Sequence, residues 1–198
     1  GREDDIRPCI ACNQGCLGQL MDQMGVGCAV NAAAGFEEKL GDDNLGKVDS
    51  PKKILVIGGG PSGLETARVA ALRGHQVILA EAMADLGGTL NYAAMAPTRQ
   101  QFKDFVHWAD RAVYAAGVDV RLSTYVTPDD LAQIAPDYIV LATGAEPRVD
   151  GVQLSHPGEP FEGEQLRHVI STNELFADPN CQATNALVVD ETGHYEAL

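Results

Sequence analysis

Between residues 52 and 141, short β-branched runs alternate with longer helical stripes. Residues 53–57 (KILVI) are nearly all apolar, as in a strand buried on both faces. Leu64, Ala67, Ala71 and Leu72 then recur on one helical face. The spacing predicts a helix over 62–73, with Pro61 at its first position and Gly74 as its stop. A second strand is expected at 76–80. Thr98 is placed to cap a helix to 116, because Phe102, Phe105, Val106, Ala109, Val113 and Ala116 form a core stripe ending at Gly117. Strands follow at 118–122 and 137–141, separated by a short helix that Thr127, Pro128 and Asp130 start and that runs through Ile134. Strand–helix alternation of this kind predicts an α/β unit on a parallel sheet.

The link between the first strand and helix reads GGGPSG. Gly58, Gly60 and Gly63 give G-x-G-x-x-G. The first allows the tight turn, the second a close approach of backbone to pyrophosphate, and the third close packing of helix on strand. The helix N-terminus offers N–H groups and a positive dipole end to that phosphate. The second strand ends at Glu81, about 20 residues on, where such folds bind ribose hydroxyls. Together these features predict a dinucleotide site on a Rossmann-like FAD/NAD(P)-binding fold. Gly87–Gly88 allows another close approach to a cofactor, and Ala142–Thr143–Gly144, ending the last strand, can lie against it without steric cost.

Composition narrows the partners. With 28 acidic against 14 basic residues the net charge is −14, which argues against nucleic acid or an anionic membrane surface. No apolar run reaches the length of a membrane span, and no signal peptide is visible. The chain starts at Gly1 without Met, and is read as a piece of a longer polypeptide.

Four of the five cysteines fall within the first 28 residues, as C-x2-C-x3-C-x11-C: Cys9, Cys12, Cys16 and Cys28. Such clustering suits metal ligation and a reducing, cytoplasmic setting better than a disulfide framework. Three close thiolates and one distant one suit a 4Fe–4S centre. Structural zinc more often takes two C-x2-C knuckles, and stays open as an alternative. Cys181 reads as a free thiol. Residues 31–50 read as a connector with a short helix near 36–40 and a turn at Asp42, Asp43, Asn44 and Gly46.

The cysteine spacing, ILVIGGGPSGLE, GGTLN and LATGAEP together resemble the iron–sulfur flavoenzymes built on an old-yellow-enzyme barrel, the group of 2,4-dienoyl-CoA reductase and the trimethylamine, dimethylamine and histamine dehydrogenases. The resemblance implies three parts: residues 1–50 as cluster segment and linker after an FMN barrel, 51–150 as the FAD- or ADP-binding domain, and 151–198 as the start of a second nucleotide-binding lobe. It implies Cys9, Cys12, Cys16 and Cys28 as cluster ligands. It implies Gly58, Gly60, Pro61, Ser62, Gly63, Glu81 and Ala82 along the adenine-dinucleotide site. Gly88, Thr89, Leu90, Val126, Ala142, Thr143 and Gly144 would complete it. FMN, the small-molecule substrate and the catalytic residues would lie in the barrel. An electron-transferring flavoprotein and a second copy of the chain are the expected protein partners.

After Pro147 the texture becomes loop-like over 151–163, with a capped helix from 172 to about 176 and a strand at 186–189. In a reductase fed by NADPH that strand should open a second glycine loop. Asp190, Thr192 and Tyr195 stand where its glycines belong, and a carboxylate and a ring there would repel and block a pyrophosphate. The DETGHYEA stretch looks more like the amine-dehydrogenase branch of the group, and that resemblance implies a methylated-amine dehydrogenase or demethylase. The x3 spacing between Cys12 and Cys16 looks more like the reductase, so an NADPH-dependent enoate reductase is the alternative. A zinc-stiffened ADP-binding module is the alternative of another class.

Overall fold

Four parallel strands form the expected sheet. β1 (Lys53–Ile57) lies in the middle, pairing with β2 (Gln76–Ala80) from Lys53↔Gln76 to Ile57↔Ala80. β3 (Asp119–Arg121) adds beyond β2 from Ile78↔Asp119, and β4 (Tyr138–Leu141) pairs with β1 from Ile54↔Tyr138, for an order β3-β2-β1-β4. This computed structural model describes residues 3–178, 180–181 and 183–189. The chain divides into two units, Gly1–Gly144 and Ala145–Leu198.

In the first unit a π turn at Gln14–Gly18 leads into α1 (Gln19–Met21), and α2 (Glu37–Leu40) precedes a 3-10 turn at Asp42–Asn44. α3 (Pro61–Leu72) follows β1 and ends as expected at Gly74: its φ is +95°, and the amides of Gly74 and His75 donate back to Ala71 and Ala70. α4 (Leu90–Ala93) is a single turn, α5 (Gln100–Ala115) carries the apolar stripe, and α6 (Pro128–Ile134) starts from the Thr127–Asp130 capping box. Val56, Leu64, Leu79 and Val113 are fully buried in the core where α3 and α5 meet the sheet, and Leu55, next along β1, is fully buried as well.

Several boundaries differ from expectation by a residue or two, among them the end of β3 before Leu122 and the start of β4 after Asp137, and two have a visible cause. Arg99 rather than Thr98 precedes α5, because the Arg99 amide closes a turn onto Ala96 and delays the helix. β3 omits Val118, whose amide donates to Val113 at the end of α5.

The second unit is mostly irregular. Its helix α7 (Thr172–Ala177) is capped as expected, by a capping box between Ser171 and Glu174. The strand expected at 186–189 is not formed. No strand pairs with it among the described residues, and Leu187, Val188 and Val189 stay exposed. Asp190, Thr192 and Tyr195 lie outside the described residues. Among the described residues no helix is long and apolar enough to cross a membrane.

A charge network, absent from the sequence expectations, fixes the N-terminal segment to this core. Glu65 of α3 accepts from Arg68 at 2.9 Å and from Arg7 at 3.2 Å, and Arg68 reaches Asp42 at 2.6 Å. Both guanidiniums lie over the Trp108 ring, 4.2 Å (Arg7) and 5.7 Å (Arg68) from its centre. A desolvated cation–π contact contributes about 2 kcal/mol, which offsets part of the cost of burying Arg7. Ile10, between two cysteines, enters the same apolar core as Leu64 and Trp108.

The two arginines share one carboxylate and respond oppositely. Burial pulls Arg68 down, but bonds to Glu65 and Asp42 outweigh it and raise it. Burial and then the charge of Arg68 lower Arg7 despite Glu65. Both remain charged at neutral pH.

Burial pushes the Glu65 carboxyl up, but pairing with Arg68 and Arg7 wins and holds it below its ordinary 4.5. A depressed folded value means that this stabilisation is complete above the ordinary value and disappears as pH falls below it. The melting-temperature gap between the wild-type protein and Glu65→Gln should therefore hold constant from pH 7 to about 5 and shrink only in more acid solution. A gap that does not change with pH would show that Glu65 is uncharged in the fold.

Candidate functional site

The glycine loop is shaped by contacts that leave no room for side chains. A Cβ on Gly58, whose φ is +109°, would lie 2.2 Å from the carbonyl oxygen of Ala142; one on Gly63 would lie 1.9 Å from that of Gly58. These contacts bring the ends of β1, α3 and β4 together. Gly60 is the opposite case. Its φ of −73° suits any residue, and nothing stands within 4 Å of a Cβ built there. The loop is therefore packed at its two ends and open at its middle glycine, where a ligand backbone contact needs space. Pro61 and Ser62 open α3, whose first-turn N–H groups have no partners within the helix.

The GGTLN segment closes on this loop. The Gly87 amide donates to the Gly59 carbonyl at 2.9 Å. A Cβ on Gly88 would lie 3.1 Å from the Gly60 Cα, and φ is positive at both Gly87 and Gly88. Thr89 precedes α4 and is exposed; Leu90 packs against the core, so its role is at least partly structural.

Glu81 is only 8 % exposed. Its Oε2 accepts from the Gly59 amide at 2.6 Å and its Oε1 from the Met83 amide at 2.7 Å. The carboxylate thus fixes the loop itself, a task the ribose expectation did not include. Each oxygen keeps further acceptor capacity for a ribose hydroxyl. Ala82 beside it is exposed. The amides of Ser123 and Thr124 donate to the carbonyls of Met83 and Glu81, which brings half-buried Val126, two residues on, to this end of the sheet. Half-buried Ala142 touches the loop as described; Thr143 and Gly144 are exposed, with φ +79° at Gly144.

The cysteine segment is looped by backbone contacts. The Gly27 amide donates to the Gly15 carbonyl at 2.6 Å, and a Cβ on Gly15 would lie 3.0 Å from the Cα of Cys28. This brings the backbone of Cys28 back against the Cys12–Cys16 turn. Ala11 and Asn13 both take positive φ, and the Ala11 amide donates to the Cys9 sulfur at 3.3 Å. The side chains are not gathered in the same way: among the described residues, no three His, Cys, Asp or Glu stand together as a metal site. Four cysteines on a looped backbone offer the donor set that a 4Fe–4S centre or a structural zinc would take. Cys9 and Cys16 are exposed, Cys12 and Cys28 half-buried, and Cys181 is a half-buried free thiol. His107, exposed on α5, borders an open cleft with Ile6, Pro8, Asp104 and Trp108, apart from the glycine loop.

The βαβ unit with its open glycine cradle has the form of a dinucleotide-binding domain, and comparison with known proteins gives its class. Residues 30–151 match the family "Pyridine nucleotide-disulphide oxidoreductase", and the chain belongs to this family of flavin-dependent oxidoreductases. It is 40% identical over 157 residues to an NADH oxidase of Thermoanaerobacter brockii, covering 77% of this chain and 24% of that protein. It is 35% identical over 189 residues to an N,N-dimethylglycine/sarcosine dehydrogenase of Chromohalobacter salexigens, covering 94% of this chain and 26% of that protein. The 6-hydroxypseudooxynicotine amine oxidase of Pseudomonas geniculata superposes with a TM-score of 0.79 at 34% identity, over 88% of this chain and 26% of the other. Within the broad family, the chain groups with the old-yellow-enzyme-like iron–sulfur flavoenzymes. It spans about a quarter of the length of the relatives it matches.

The two kinds of glycine predict opposite outcomes. Gly63→Ala forces a Cβ into a backbone oxygen and should destabilise the fold by about 3 kcal/mol or more. Gly60→Ala should leave the melting temperature within a few degrees of wild type. Equal losses for both would disprove the open middle of the loop.

Proposed function

We propose that this chain is the electron-transfer portion of an FMN/4Fe–4S/FAD oxidoreductase acting on a methylated amine as dehydrogenase or demethylase. One observation carries the reading: a closed four-cysteine loop and an open phosphate cradle belong to the same unit, Gly1–Gly144. Flavins exchange two electrons as hydride and an iron–sulfur cluster passes one at a time, so their combination joins two kinds of transfer. Cys9, Cys12, Cys16 and Cys28 would hold the cluster. Gly58, Gly60 and Gly63 would admit the pyrophosphate of FAD, or of ADP, and Glu81 would orient the ribose while holding Gly59. Burial of Ile10 and the docking of Arg7 keep the cysteine loop on the core.

The amine reading is supported by the Asp190, Thr192 and Tyr195 substitutions and by relatives named for amine substrates. An electron-transferring flavoprotein is the proposed acceptor. The relatives named NADH oxidase and cinnamate reductase favour the second reading, an NAD(P)H-dependent reductase.

Anaerobically prepared full-length protein should contain about four irons per chain and release an adenine nucleotide on denaturation. Cys12→Ser should bleach the broad visible band; stoichiometric zinc without iron would sink the cluster assignment. Gly60→Val should release the nucleotide while retaining the iron. Anaerobic mixing with NADH or NADPH should reduce the flavin slowly if at all, and rapid, saturable bleaching would establish the reductase reading instead.

A further inference from the structure

Arg7 holds both ends of the cysteine loop. It stands two residues before Cys9, and its Nη1 donates at 2.7 Å to the carbonyl of Val30, two residues after Cys28. Both terminal nitrogens of the same guanidinium also bond Glu65, at 3.2–3.3 Å. Glu65 lies about one turn beyond Pro61, where α3 leaves the glycine cradle. From the other side, Nε and Nη2 of Arg68 grip the Glu65 carboxylate at 2.9 Å, and Arg68 is itself tied to Asp42. Trp108 lies under both guanidiniums.

We infer that Arg7 and Glu65 are positioning residues that clasp the cysteine loop at its base and lock it to the helix bordering the nucleotide cradle, so that filling either site stabilises the other. The inference rests on the reading of the loop as a cluster site and of the cradle as a nucleotide site. A phosphate at the start of α3 fixes that helix, α3 fixes Glu65, and Glu65 fixes the guanidinium that closes the loop. Such linkage is reciprocal by thermodynamic necessity. Arginine suits position 7, because its planar fork reaches the Val30 carbonyl and both Glu65 oxygens while lying over the Trp108 ring, a geometry that a lysine ammonium does not reproduce.

The test uses full-length enzyme stripped of adenine nucleotide and exposed to an iron chelator, with and without saturating ADP. In the wild-type enzyme ADP should slow loss of the visible band about five-fold or more. In Glu65→Gln and in Arg7→Lys that ratio should fall to about one, although neither residue touches the loop glycines. General destabilisation would speed bleaching equally with and without ADP and leave the ratio at its wild-type value, which would overturn the inference. So would the absence of any ADP effect in the wild-type enzyme. Amide hydrogen exchange of residues 8–29 reads the same linkage without iron. If the protein proves to hold no cluster, the proposed function fails, yet ADP-dependent protection that disappears in both variants still supports the clasp. Exchange indifferent to ADP overturns it.

Discussion

Helix α3 leaves the end of β1 so closely that its third residue, Gly63, has no room for a side chain. Much of the site follows from that approach. It requires Gly58 to turn with positive φ, and that turn in turn lies against the carbonyl of Ala142 at the end of β4. The two contacts fix where the open Gly60 stands. Glu81 and Gly87 then hold Gly59 from two further directions, one through its amide and one through its carbonyl. The cradle is thus defined almost wholly by backbone, which explains why few side chains are needed to specify it.

Charge acts differently in the interior than over the whole chain. The sequence carries a large acidic excess, yet two largely buried arginines meet half-buried Glu65 and exposed Asp42 around one tryptophan. Partial burial makes each ion dependent on the others, because removing one partner leaves an uncompensated charge in a poor solvent for it. Surface pairs such as Arg121–Asp119 carry no such penalty and contribute little.

The sheet and the glycine cradle were legible in the sequence because they rest on local signals: β-branched runs, a helical stripe, glycines at fixed offsets and a capping box. Each can be read within about a dozen residues. The clasp was not legible, since Arg7, Asp42, Glu65 and Trp108 come from four separated segments and only Glu65–Arg68 shows a helical i,i+3 spacing. The second task of Glu81 was missed for a related reason. An acid at the end of a strand reads as a ligand contact, while its bond to Gly59 depends on how the loop folds back. The strand expected at 186–189 failed because an apolar run marks a strand only when a neighbour supplies hydrogen bonds, and sequence pattern alone does not supply the neighbour.

The Arg7–Val30 bond also bears on how the protein is made. It joins positions 23 residues apart and leaves the four cysteines on one ring of chain. Closing a flexible segment of that length costs on the order of 3 kcal/mol in chain entropy. If protein contacts have already met that cost, whatever inorganic group the thiols accept meets a preformed mouth rather than a disordered chain. Maturation would then be an insertion into a folded apoprotein, with metal delivery separable in time from folding.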